Sequence, residues 1–186
     1  MQWQLFFLSI PPAVIYVAFW ATGRSNAGIF AAIAAAALEL LYNSLALGFV
    51  EPFSSFSLLA FSLLGALSLR TADDRIFKLQ PVAFELFFAA ALVYYRVVHE
   101  TALLVIVVDD YLGLYEILQS YQRGYATVYA ATLSRSLPFM LVLHAAWTAH
   151  AAITRTTWWW FNVRVFGFYV MLAVLFIGER LLGITE

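Results

Sequence analysis

Apolar and polar positions alternate in long blocks along this chain. The apolar blocks 3–21, 27–50, 53–69, 79–98, 137–153 and 161–182 each approach the ~20 residues that cross a bilayer as one helix. The polar punctuation between them is short: Thr22-Gly23-Arg24-Ser25-Asn26, Glu51-Pro52, the charged stretch Arg70 to Lys78, and Thr154-Arg155-Thr156-Thr157. The pattern predicts an all-α fold, a polytopic transmembrane helical bundle of five or six spans forming a single integral membrane domain over 1–186. The count is five or six because Pro11-Pro12 interrupts the first block, which then either crosses or re-enters.

Residues 99–136 read differently. Ala102 to Val108 is apolar but too short to cross, and Asp109-Asp110 stops it. From Tyr111 onward Tyr111, Leu114, Tyr115, Leu118, Tyr121 and Tyr125 fall on one broad helical side, with Glu116, Ser120, Arg123 and Thr127 on the other. Tyrosine favours the membrane–water boundary, where its ring is buried and its hydroxyl hydrated. An interfacial amphipathic helix over about 111–134 is therefore expected. The alternative is a helix buried against the bundle, with Asp109 and Asp110 lining a polar cavity. Pro138 would then open the fifth span at a permitted first-turn position.

Composition strengthens the membrane reading. The chain is 64% apolar and 11% charged, against about 45–50% and 25% in soluble domains. A net charge of −1 gives no concentration of cations for nucleic acid, which is not an expected partner; the lipid bilayer is. The absence of cysteine excludes disulfides, thiolate catalysis and cysteine-held metal. No phosphate-cradling glycine loop occurs, and the only lysine, Lys78, lies in a loop. No cofactor and no catalytic residue are expected.

Ionisable groups inside spans are costly, by about 2.5–3.5 kcal/mol each on insertion scales, so each is a candidate site. Glu39 lies at the centre of its span with Asn43 one turn on. It reads either as a proton or cation site or as a neutral group bonded to Asn43 or a neighbouring helix. Glu85 lies inside the fourth span, with Arg164 its expected ion-pair partner. His144 and His150 share a helix at an offset of six, unsuited to a common metal, which needs three or four. They read as hydrogen-bonded interior histidines.

Three separated stretches carry a resemblance. Pro12 to Trp20 is a proline followed by an aromatic-rich run. Asp73-Asp74-Arg75-Ile76-Phe77-Lys78-Leu79-Gln80-Pro81 places an acidic residue before an aromatic–Lys–x–x–Pro lead into a span. Trp160-Phe161-Asn162-Val163-Arg164-Val165-Phe166-Gly167 sets a Trp, an Asn, a basic residue and a Gly at fixed spacing. Together they resemble the intracellular septation protein A family of bacterial inner-membrane proteins. The matching positions are Asp73, Lys78, Pro81, Trp160, Asn162, Arg164 and Gly167. Gln80 stands where that family usually has a second lysine, and Val82 where threonine is common. The resemblance implies residence in the bacterial inner (cytoplasmic) membrane and a role in cell-envelope integrity and division. It also implies association with membrane proteins of the envelope or septum-building machinery. The main alternative from the residues is a small transporter or channel using Glu39 and Glu85 as coupling carboxylates. A third is an enzyme acting on a hydrophobic substrate.

Overall fold

The computed structural model of the 186-residue chain describes residues 10–48, 50, 52–100, 102–106 and 120–181, and its regular structure is helical throughout. In chain order the helices are α1 (Ile10–Ala21), α2 (Ser25–Leu47), α3 (Pro52–Thr71), α4 (Asp74–Phe77), α5 (Gln80–Val98), α6 (Leu103–Ile106), α7 (Ser120–Thr154) and α8 (Thr157–Asn162). A π-helical turn, Val163–Gly167, then leads into α9 (Phe168–Leu181). Five apolar helical stretches are long enough to cross a membrane: Ser25–Leu45, Ser54–Thr71, Asp74–Val98, Ala130–Thr154 and Thr157–Gly178. The stretch Pro11–Ala21 is apolar but shorter. Its two prolines occupy the first turn of α1, where a missing N–H breaks no helical bond. Residues 3–9 of the first expected span lie outside the described residues.

The helix ends follow local chemistry. Gly48 closes α2 in the left-handed conformation (φ 75°), its N–H bonded to the Ser44 carbonyl at 2.9 Å, as a glycine at this position permits. Pro52 opens α3. Ala72, just past the end of α3, adopts φ 54°, a conformation that strains a residue bearing a Cβ.

Exposure is distributed inside-out relative to a soluble protein. Phe30, Leu45 and Phe139 are 63%, 75% and 75% exposed, while Lys78, Gln80, Glu85, His144 and Arg164 are buried. Apolar side chains face outward and the polar ones are enclosed by helices whose backbone bonds are satisfied internally. That is the arrangement of an integral membrane protein.

The structure corrects the expectation for the region after residue 119. In place of an interfacial helix ending near 134 and a separate span beginning near 137, α7 runs unbroken from Ser120 to Thr154 with Pro138 inside it. Two hydroxyl residues ahead of Pro138 are satisfied within the helix. The Thr132 hydroxyl donates to the Val128 carbonyl at 2.9 Å, and the Ser134 hydroxyl to the Ala130 carbonyl at 2.8 Å. Such bonds to the preceding turn hide a hydroxyl without ending a helix. Residues 111–119, with Asp109 and Asp110, lie outside the described residues.

The chain divides into two compact units. The larger comprises Phe7–Phe84 and Ala145–Phe166, the smaller Met1–Phe6, Glu85–His144 and Gly167–Glu186. The core of the larger unit mixes aromatic with very small residues: Tyr16, Phe61, Phe77 and Trp160 with Ala32, Ala36, Ala151 and Ala152. Small side chains let helix backbones approach closely, which matters where lipid removes the hydrophobic drive to associate. Gly28 shows how close: a Cβ there would lie 2.9 Å from the Phe19 Cβ and 3.1 Å from the Tyr16 carbonyl oxygen. The smaller unit packs Ala89, Leu92, Leu103, Leu137, Met140 and Leu141 together, with Phe168, Met171 and Leu175 of α9 against them.

Candidate functional site

Two polar constellations stand out, one in each unit. That of the larger unit starts at the turn between α3 and α5. The Ser68 hydroxyl donates to the Asp73 carbonyl at 2.8 Å, and the Asp73 side chain accepts from the Arg75 N–H at 3.0 Å. An extended aspartate accepting from an N–H two residues on is the usual way to start a helical turn. One position later Asp74 presents Oδ2 to two donors: the Lys78 ammonium at 2.9 Å and the Tyr16 hydroxyl at 3.1 Å. The one-turn spacing from Asp74 to Lys78 makes their approach possible. Lys78 is only 4% exposed, so its ammonium is enclosed against that carboxylate.

Trp160 of α8 completes the cluster. Its Nε1 donates to the Lys78 carbonyl at 2.9 Å, and its ring lies edge-on to Tyr16 with centroids 6.1 Å apart. Tyr16 also packs on Phe77 at 4.7 Å, and Phe61 on Phe77 at 5.6 Å. The Arg164 guanidinium stands 5.6 Å from the Trp160 ring centroid, within reach of a cation–π interaction. Asn162 is exposed and its amide donates to the Trp158 carbonyl at 2.9 Å. Pro81 is buried in the first turn of α5. Gly167 is buried at the end of the π-helical turn. Gln80, at the position of the resemblance's second lysine, is fully buried, and both ends of its amide lack a hydrogen-bond partner among the described residues. Beside Asp74 opens a polar depression of about 500 Å³ lined by Ser25, Asn26, Ser68, Ala72, Asp73, Asp74 and Arg75.

The constellation of the smaller unit centres on Glu85 and His144. Glu85 Oε1 lies 2.9 Å from Nδ1 of His144. His144 is wholly buried and Glu85 is 8% exposed. The Phe168 ring meets the imidazole edge-on with centroids 5.6 Å apart. Glu85 is eleven residues from Asp74 and thirteen from Val98, the ends of its apolar stretch. His144 is fourteen from Ala130 and ten from Thr154. Each sits near the middle of a segment long enough to span, where a polar group is most costly. The other carboxylate oxygen, Oε2, is buried with no hydrogen-bond partner among the described residues.

The remaining candidates separate. The expected Glu85–Arg164 pair is replaced by Glu85–His144 and by Arg164 over Trp160. Asn43 is buried and donates to the Ser54 hydroxyl at 2.9 Å, tying α2 to α3; Glu39 is half-buried on α2. His150 is exposed, and six residues of helix place it nearly two turns from His144. Among the described residues no group of three or more histidines, cysteines or carboxylates could hold a metal. Sequence reasoning did not single out Tyr16 or Asp74 individually, although both lie inside stretches that carry the resemblance. A buried lysine beside an aspartate four residues earlier was the available signal.

No protein-family model, no curated protein and no solved structure matches the chain.

Proposed function

We propose that this integral membrane protein works in the bacterial inner membrane as a septation protein A-like factor. It serves envelope integrity and cell division by associating with septum-building membrane proteins rather than by catalysis. One observation carries this reading. The three stretches that resemble that family, widely separated in sequence, meet in a single cluster: Tyr16 on Asp74, Asp74 on Lys78, and Lys78 on Trp160. Motif residues spread over an alignment of unrelated stretches would have no reason to touch. Their chemistry is that of a fastening. Asp74 takes two donors, Lys78 and Trp160 are buried, and none of these groups is poised as a nucleophile or general base.

Expression in a bacterial strain depleted of its own septation protein A tests the proposal. The chain restores normal cell length and co-purifies with septal wall-building proteins, while a Trp160→Ala chain that still reaches the membrane does neither. A wild-type chain that inserts fully yet restores nothing and captures no such protein overturns it.

A further inference from the structure

The end of the larger unit that holds the Asp74 cluster also gathers that unit's exposed cations. The depression bounded by Ser25, Asn26, Ser68 and Asp73 brings the start of α2 beside the end of α3. The bond from Trp160 to the Lys78 carbonyl brings the α7–α8 connection to the same end. Arg24 immediately precedes α2, Arg70 lies in the last turn of α3, Arg75 in α4, and Arg155 between α7 and α8. All four are exposed, and none makes an ion pair among the described residues. Residues 27–69, which make up most of α2 and α3, contain no lysine or arginine. The far ends of those two helices therefore add no cation.

Charge at this end is unbalanced. The connections 22–26, 70–78 and 154–157 hold five cations and two carboxylates. Both carboxylates are half-buried; Asp74 is engaged by Lys78 and Tyr16, and Asp73 accepts from the Arg75 N–H. The four guanidinium groups stand out from them, and a surplus of one sign concentrates the opposite one nearby. Aromatic neighbours say which anion is at hand. Trp158 and Trp159, at the start of the spanning stretch Thr157–Gly178, are 60% and 49% exposed. Exposed indoles at the end of a span belong at the level of the lipid head groups, where phosphate is the abundant anion. Guanidinium pairs with phosphate through two parallel N–H bonds. The depression itself is lined by Asp73 and Asp74 and suits no anion, so phosphates rest on its outer side.

We propose that this end of the larger unit is a binding surface for anionic phospholipids. Arg24, Arg70, Arg75 and Arg155 hold their phosphates, and Trp158 and Trp159 lie among the head groups. The attraction is ionic, so it weakens as salt is raised. The proposal goes beyond the septation reading and stands or falls without it.

Native mass spectrometry of the full chain in detergent, titrated with phosphatidylglycerol or phosphatidylcholine, tests the surface. The wild type binds phosphatidylglycerol at least about fivefold more tightly than phosphatidylcholine, and an equal concentration of glycerol phosphate does not displace it. Arg70→Gln/Arg75→Gln weakens phosphatidylglycerol binding by about fivefold or more. Arg96→Gln/Arg135→Gln, the same loss of charge at exposed positions of the smaller unit, leaves it unchanged. Should the first double variant fail to insert, Arg155→Gln alone lowers the preference by a smaller factor. Equal binding of the two lipids by the wild type overturns the proposal, as does an equal loss in the two double variants or none in Arg155→Gln. Displacement of the lipid by glycerol phosphate, or tighter binding of polyglutamate than of phosphatidylglycerol, overturns it too, the latter pointing to an acidic protein instead.

Discussion

The two units handle buried charge in opposite ways. In the larger, Asp74 lies at the start of an apolar stretch, half-buried beside an open polar depression. It is held from two sides, by an ammonium and by a phenol. In the smaller, Glu85 lies near the middle of the same stretch with His144 as its described partner and a second oxygen that has none among the described residues. Redundant partners at an edge make a fastening, whereas a carboxyl group near the middle of a span, with one of its oxygens lacking a described partner, carries the higher cost of burial.

That contrast can be broken most forcefully at Trp160. Trp160→Ala removes a fully buried ring, the donor to Lys78 and the surface under Arg164 at once. A loss of about 3–5 kcal/mol is expected for a buried aromatic truncated to alanine, read as a lower unfolding midpoint in detergent. In the smaller unit His144→Leu takes from Glu85 Oε1 its described partner, so that neither carboxyl oxygen has one among the described residues. An orphaned buried acceptor costs about 1–3 kcal/mol, and the double variant Glu85→Leu/His144→Leu should recover most of it, since apolar replacement of a whole buried pair is often neutral. No recovery would mean that the pair's environment is polar.

Backbone approach gives a finer test. Gly28→Ala would meet the Phe19 Cβ and a Tyr16 carbonyl, which cannot swing aside, and should destabilise by about 1–3 kcal/mol. Gly65→Ala meets the flexible ends of Ile33 and Ile29 at 2.9 and 3.0 Å and should cost less than Gly28→Ala in the same assay. The smallest effect has the opposite sign. Ala72→Gly relieves a left-handed alanine and should raise stability by about 1 kcal/mol.

Much of this architecture was legible in the sequence, because an apolar block of spanning length has few alternatives in lipid. The five long stretches fall where the blocks 27–50, 53–69, 79–98, 137–153 and 161–182 place them, within a few residues at most ends. The exception lies before Pro138. Pro138 read as the first turn of a new span, yet it lies inside a helix that continues through it, so the pattern concealed a continuous α7. Glu85 and His144 each stood out as polar residues in apolar segments. Their pairing did not, because 59 residues separate them and only helix rotation and packing decide which faces meet. Arg164 was assigned to Glu85 on opposite charge and a shared membrane boundary, while the aromatic ring one turn earlier in its own motif lies beside it.

Lys78 is the only lysine in the chain, and its ammonium is enclosed, 5% exposed at the side chain. Amine-directed reagents, from fluorescent esters to crosslinkers and biotin tags, will therefore leave this side chain untouched while the fold persists. Modification of it is a ready-made reporter of opening, and lysine-directed crosslinking finds no accessible lysine side chain on this protein.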